Sequence, residues 1–320
     1  MTRYVLRRLI QGTVTVFGIL VITFTLVHLA PGDPIEVLAS GNGDEAYYNF
    51  MRAKFGLDKP LLSQFIIYVS NLLGGDFGTS YITGQSVTDI IQARLSSTLL
   101  LAVSSIVVST LIGVSLGMVA AWRVDGLLDK TVVRFSVVAV AAPSFWIAQV
   151  LLVLFALRLG IFPTDGKNSP GFDGAGLSRF ADTVWHLILP MSVLAIQESS
   201  VIANLTRVGI VDQLGEDHVR LARAKGLSDF QVVRRHALRR SLLPVVTVLG
   251  GRIGQIFSGA VVVELIFGWP GLGQLLLSSS QSRDTPVLLG ILVLVAVVVV
   301  VFNLFTDIAY MIIDPRVRLR

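Results

Sequence analysis

Two charges, Glu198 and Arg252, sit far inside long apolar stretches, and two more, Glu264 and Asp307, stand nearer the ends of others. An ionisable group in a bilayer core costs about 2.5–3.5 kcal/mol on insertion scales, so such groups mark ion pairs, relays or pathways. Glu198 and Arg252 admit two readings. Either they neutralise each other or polar groups of a partner chain, or they line a polar pathway. Catalysis is harder to build. His28, His186, His218 and His236 are scattered and form no HExxH pair, and no GxSxG occurs. Lys130 is the only lysine followed by Ser or Thr, and Asp129 precedes it, so the Gly-Lys-Ser/Thr of a phosphate-binding loop is missing. The chain has no cysteine, which removes disulfides, thiolate metal sites and cysteine nucleophiles. It is therefore expected to be non-catalytic, with no metal site and no cofactor of its own.

The other chemically loaded stretch is basic and punctuated by a turn. From Glu216 to Leu249 it gathers Arg220, Arg223, Lys225, Arg234, Arg235, Arg239 and Arg240. Gly226 suits the position just past a helix end, where a positive φ is needed. Ser228 followed by Gln231 reads as a capping box that opens a second helix. Leu227 and Val232 are placed to form its hydrophobic staple, and Asp229 puts a negative charge in its first turn. Phe230, Val233 and Ala237 give the second helix an apolar stripe. The pattern predicts a short helix, a sharp turn and another short helix. Such a pair is either a solvated loop whose basic residues set topology or a knob that fits a groove on another protein.

The elements around these residues belong to a membrane. Of the 320 residues 53% are hydrophobic and 15% charged, with a mean hydropathy of +0.74. A soluble domain has roughly a quarter charged residues. The net charge of +5 could suggest nucleic acid, but the basic residues flank apolar spans, and topology explains them better. Six spans are predicted: Leu9–Ala30, Leu99–Ala121, Thr131–Leu157 with a kink at Pro143, Thr183–Arg207 with Pro190, Leu243–Phe267 and Val287–Tyr310. The long polar segment Pro31–Ser97 is predicted to hold two short helices, about Ala46–Phe55 and Pro60–Leu73, the second too short to cross. Gly268–Pro286 is read as an outer loop. With both termini in the cytoplasm, 16 basic residues fall inside and 8 outside, as the positive-inside rule demands.

ARAKGL (Ala222 to Leu227) and HALRRSLLPV (His236 to Val245) resemble the cytoplasmic coupling loop, or EAA loop, of bacterial ABC importer permeases. That family's Gly and the Pro that follows it at a fixed distance are matched by Gly226 and Pro244. Arg220 stands where the naming Glu would be, and the RxARAKG form looks like the dipeptide/oligopeptide/nickel subgroup. HLAPGDP (His28 to Pro34), FGLDKPL (Phe55 to Leu61) and GDFGTS (Gly75 to Ser80) resemble that subgroup's first-loop signatures. VVVELIFGWPGLGQL (Val261 to Leu275) and DIAYMIIDPR (Asp307 to Arg316) resemble signatures it carries whatever the substrate.

The resemblance implies an all-α integral membrane protein with a type I importer permease core, like that of the methionine importer, plus an extra N-terminal helix and a long first extracytoplasmic loop. On that reading residues 1–30 are the added span, 31–97 the extracytoplasmic region and 98–320 the permease core, with its coupling loop at 208–243. It implies a bacterial cytoplasmic membrane subunit that imports di- or oligopeptides. Its partners would be a homologous second permease, two ATPases that hold ATP and Mg, and an extracytoplasmic binding protein. Arg220, Ala222, Arg223, Ala224, Lys225, Gly226, Leu227, Ser228 and Phe230 would meet the ATPases. Pro143, Glu264, Gly271 and Asp307 fall to architecture or gating. Glu198 and Arg252 are less typical of the family, and both readings of them stand: they pair, or they line the pathway, Arg252 attracting the peptide carboxylate and Glu198 its ammonium. The rival class is a lone secondary transporter or channel using Glu198, Arg252 and Asp307 for ion coupling. No internal repeat supports it. A membrane-embedded enzyme lacks a catalytic set.

Overall fold

Apolar runs with few breakers make long helices, and the computed structural model is almost wholly helical. It describes residues 2–30, 32, 35 and 44–313. The chain forms two compact units, Met1–Ser96 with Gly271–Val301 and Ser97–Pro270 with Phe302–Arg320.

The first unit begins with α1, Thr2–Leu29. Short α2 (Glu45–Phe55) is capped by Asp44, whose side chain accepts from the Tyr47 N–H, and it ends at Gly56 with φ 68°. α3, Leu61–Leu73, has 13 residues. At 1.5 Å per residue that is about 20 Å, short of a bilayer core of about 30 Å. It lies on α1 instead, with Phe65 edge-on to Phe17 and Phe24, and Tyr68 stacked on Phe24. α4 (Val87–Trp122) begins twelve residues before the predicted span. Val87 and Ile91 are buried there with Leu272, Val287 and Ile291, which is why Gly271–Val301 groups with this unit. The segment Gly268–Pro286, expected as a loop, is not all loop. It contains a ten-residue helix at Leu272–Gln281, before the last helix, Thr285–Ile313. Asp284 accepts from the Ser80 hydroxyl and from the Tyr81 N–H at 3.0 Å. Burial, and then the nearby Asp284, push the pKa of the Tyr81 hydroxyl up to about 12.

The second unit takes the rest of α4, then α5 (Leu127–Ala141) and α6 (Ser144–Leu151), which runs on through a π-helical turn at Leu152–Arg158. α7 is the 38-residue Leu177–Leu214, longer at both ends than the predicted span. After α8 (Asp217–Ala224) and α9 (Asp229–Val232), a π-helical turn at Val233–Ala237 leads into α10 (Leu238–Ile266). The Leu272–Gln281 helix is α11 and Thr285–Ile313 is α12. The core joins Leu101, Ile147, Leu187, Val193, Ala260, Val263, Phe267 and Trp269. α4 and α7 touch through their backbones. A Cβ at Gly117 would stand 2.5 Å from the Ala203 carbonyl, so only glycine fits.

The single kinked span expected over Thr131–Leu157 is two helices, bent by 105°. The proline ring excludes the helical conformation from the residue before it, and Ala142 is extended, with ψ 129°. The carbonyl exposed at the break is not left bare, because Gln197 Nε2 donates to Ala142 O at 2.8 Å. Among the described residues four helices are long and apolar enough to cross a membrane (α1, α4, α7 and α12), and the bent pair makes up to five.

Candidate functional site

The coupling segment folds as its local chemistry dictates. Gly226 has φ +83°. The Gly226 N–H donates to Arg223 O at 2.9 Å and the Leu227 N–H to Ala222 O at 3.4 Å, the paired bonds of a Schellman end. Ser228 then opens α9 with a full capping box: its hydroxyl accepts from the Gln231 N–H, and the Gln231 side chain accepts from the Ser228 N–H at 3.2 Å. The two helices share a small core of Val219, Ala222 and Val232, with Leu214 and Leu227 against it, so the staple forms. Val233 and Ala237 are buried with Ala121 and Ile210. Phe230 departs from the expected stripe. It stays 36% exposed and meets the Trp122 ring edge-on, with centroids 5.5 Å apart. Arg220, Arg223, Ala224, Lys225, Gly226 and Ser228 are exposed, and so is Leu221. The outcome is a small folded knob with a basic outer face.

Glu198 on α7 and Arg252 on α10 come together. Arg252 Nη2 donates to Glu198 Oε1 at 3.1 Å, and Nε lies 2.8 Å from Oε2. That second approach is too poorly aligned to be a hydrogen bond, and both atoms are otherwise unpartnered. The Glu198 side chain is 9% exposed and that of Arg252 28%. Gln197, which caps the Pro143 break, is the next residue on α7, so the break and the ion pair sit at one level of the bundle.

Glu264 is fully buried and accepts from Thr98 Oγ1 at 2.6 Å. Its carbonyl accepts from the Trp269 N–H at 2.9 Å, while Trp269 Nε1 donates to Ser97 O at 2.9 Å. Gly271 flanks the start of α11 and accepts from the Leu275 N–H at 3.2 Å. Asp307 lies within α12, but its side chain is outside the described residues, as is the DPR motif at 314–316. Sequence reasoning missed Gln197, Thr98 and above all the ion pair of Asp129 with Arg207. Their separations along the chain leave no local signal.

Residues 113–319 match the family described as binding-protein-dependent transport system inner membrane component, and residues 1–102 match the N-terminal region of such membrane components. The chain is 37% identical over 319 residues to the oligopeptide transport system permease protein AppB of Bacillus subtilis (strain 168), covering 99% of this chain and all of that one. It is equally similar to the glutathione transport system permease protein GsiC of Escherichia coli (strain K12), covering 99% of each. The dipeptide transport system permease protein DppB of the same strain is 35% identical over 340 residues, again covering 99% of each. Among solved structures, the inward-facing MetNI methionine ABC transporter superposes with a TM-score of 0.58 at 15% identity, over 71% of this chain and 97% of that one. An amino acid ABC transporter with histidines gives 0.52 at 17%, over 70% and 94%.

The fold is that of an ABC importer permease. The chain belongs to the family of binding-protein-dependent transport system inner membrane components, as a non-catalytic permease subunit.

Proposed function

We propose that this chain forms half of the translocation pathway of an ATP-driven importer of di- or oligopeptides. The observation that carries the coupling role is the knob made by α8 and α9, held by the Schellman end at Gly226 and the capping box at Ser228, with Arg220, Leu221, Arg223 and Lys225 turned outward. A pair of helices so short would not hold a shape alone. Here a small core and two caps stiffen it, as a part that receives a push must be. The peptide substrate is supported by the oligopeptide, glutathione and dipeptide transport systems to which the relatives belong.

On this reading α1, α4, the bent pair α5–α6, α7, α10 and α12 are six spans, α1 is an addition to the permease core, and both termini are cytoplasmic. Two ATPases receive the knobs of this chain and of a second, homologous permease, and a binding protein delivers the peptide from outside. Closure of the ATPases moves the knobs and opens the pathway outward. Glu198 and Arg252 are proposed to face that pathway. The first test is a mild-detergent pull-down of the chain from its native membrane, with mass-spectrometric identification of its companions. Two phosphate-loop ATPases and a second permease are expected. A chain that stays alone after crosslinking, with uptake driven by a proton gradient, would overturn the reading in favour of a secondary transporter.

A further inference from the structure

Asp129 and Arg207 form a closed fork at the inner end of the second unit. Arg207 Nε and Nη2 each donate to one oxygen of the Asp129 carboxylate, the latter at 2.7 Å. The Asp125 N–H adds a third bond to Oδ2 at 2.9 Å. Asp125 has φ +62°, so the same carboxylate also holds the turn that joins α4 to α5. The Asp129 side chain is 3% exposed. A guanidinium–carboxylate fork of this kind fixes direction as well as distance.

The neighbours of this pair lead two ways. In one direction lies the knob. Arg207 stands three residues before Ile210, which is buried with Val233, Ala237 and Ala121, and Trp122 at the end of α4 meets Phe230 of α9. In the other direction lies the broken span. Asp129 is in the first turn of α5, and α5 runs 15 residues, about 22 Å, to the Pro143 break. There Gln197, again from α7, holds the Ala142 carbonyl. α5 is thus fastened to α7 at both ends, and the inner fastening is the charged one.

We propose that the Asp129–Arg207 pair is the link through which movement of the α8–α9 knob reaches the break at Pro143, and that it stays closed while the knob moves. Both are positioning residues that act through α5. The proposal rests on the importer reading above.

The test uses the complete transporter reconstituted in vesicles: this chain, its partner permease, the ATPases and the binding protein. Peptide taken up per ATP hydrolysed is measured for the natural chain, Asp129→Asn, Arg207→Gln and Arg207→Lys. Asp129→Asn and Arg207→Gln are expected to keep hydrolysing ATP while uptake per ATP falls about tenfold, within the usual range of coupling between sites. Arg207→Lys, which keeps the charge but not the fork, is expected to recover part of it. A purely structural pair would lower uptake and hydrolysis together, and an unchanged ratio overturns the link. If Asp129→Asn fails to assemble, the double variant Asp129→Cys/Arg207→Cys can be bridged with a short bifunctional maleimide, since the chain has no other cysteine. Uptake preserved by the bridge supports a link that stays closed, and uptake blocked by it overturns that. A natural chain that binds no ATPase sinks the importer reading itself. Coupled uptake that all the variants share sinks only the link.

Discussion

Arg207 meets Asp129 with two N–H groups, and a backbone N–H completes the carboxylate's coordination. Arg252 meets Glu198 with one aligned N–H, and its Nε points past an oxygen only 2.8 Å away. Both carboxylate–guanidinium pairs involve α7, one towards its C-terminal end, the inner end on the proposed topology, and one near its middle. The difference is in how far each has traded water for protein. A buried pair recovers its desolvation cost only when its remaining donors and acceptors are satisfied. Asp129 reaches that condition and Glu198 does not. The inner pair is built as a fixed joint. The middle pair keeps one aligned bond, with Arg252 more exposed than its partner.

The comparison can be broken most directly at the inner pair. Arg207→Ala strands a carboxylate that is almost fully buried, and should cost about 3–5 kcal/mol, read as thermal unfolding of the purified complex. A much smaller loss would put the two pairs on the same footing. Arg252→Met should cost less, about 1.5–3 kcal/mol for one charged hydrogen bond. It should also reduce uptake of a peptide with free termini more than uptake of one with a blocked carboxylate. Equal transport of free peptides by the variant would remove Arg252 from the pathway.

Gly226→Val sharpens the contrast from the knob's side. Nothing crowds a Cβ at Gly226, so the whole cost is its φ of +83°, of order 1–3 kcal/mol for a branched residue. Membrane insertion should be normal while ATP hydrolysis and uptake come apart. A variant with normal transport would count against the knob as a coupler. Ser228→Ala should have the smallest effect, about 1 kcal/mol for a lost cap. It is measurable as faster amide exchange in α9, with exchange at Asp129 unaltered if the joint is independent of the cap.

What could be read ahead of the structure follows from the range of the interactions. The turn at Gly226, the box at Ser228 and Gln231, and the staple of Leu227 on Val232 are contacts among residues a few positions apart, so composition and spacing disclose them. Pro143 located the break in the third span but not its size of 105°, and nothing near it in sequence announced the Gln197 that meets the Ala142 carbonyl from another helix. The early start of α4 was hidden by Asp89, Gln92 and Arg94, which break the apolar run while Val87 and Ile91 still bury. Asp129 and Arg207 lie 78 residues apart. In the sequence one was a disqualified phosphate-loop neighbour and the other a topological charge. Glu198 and Arg252 were legible as a candidate pair because charges are rare in apolar text, which is a signal of composition and not of position.

The glycines of α4 carry a consequence for how this chain can change over evolutionary time. A Cβ at Gly113 or Gly117 would overlap α7, so both must face it, while Leu101, on the same helix, is buried in the core. Each residue turns a helix by about 100°. One codon inserted or deleted between Leu101 and Gly113 would therefore swing both glycines off α7 and set larger side chains against its backbone. Along this stretch the gene is held to a fixed count as well as to a fixed pattern, and alleles that differ there in length should not survive selection.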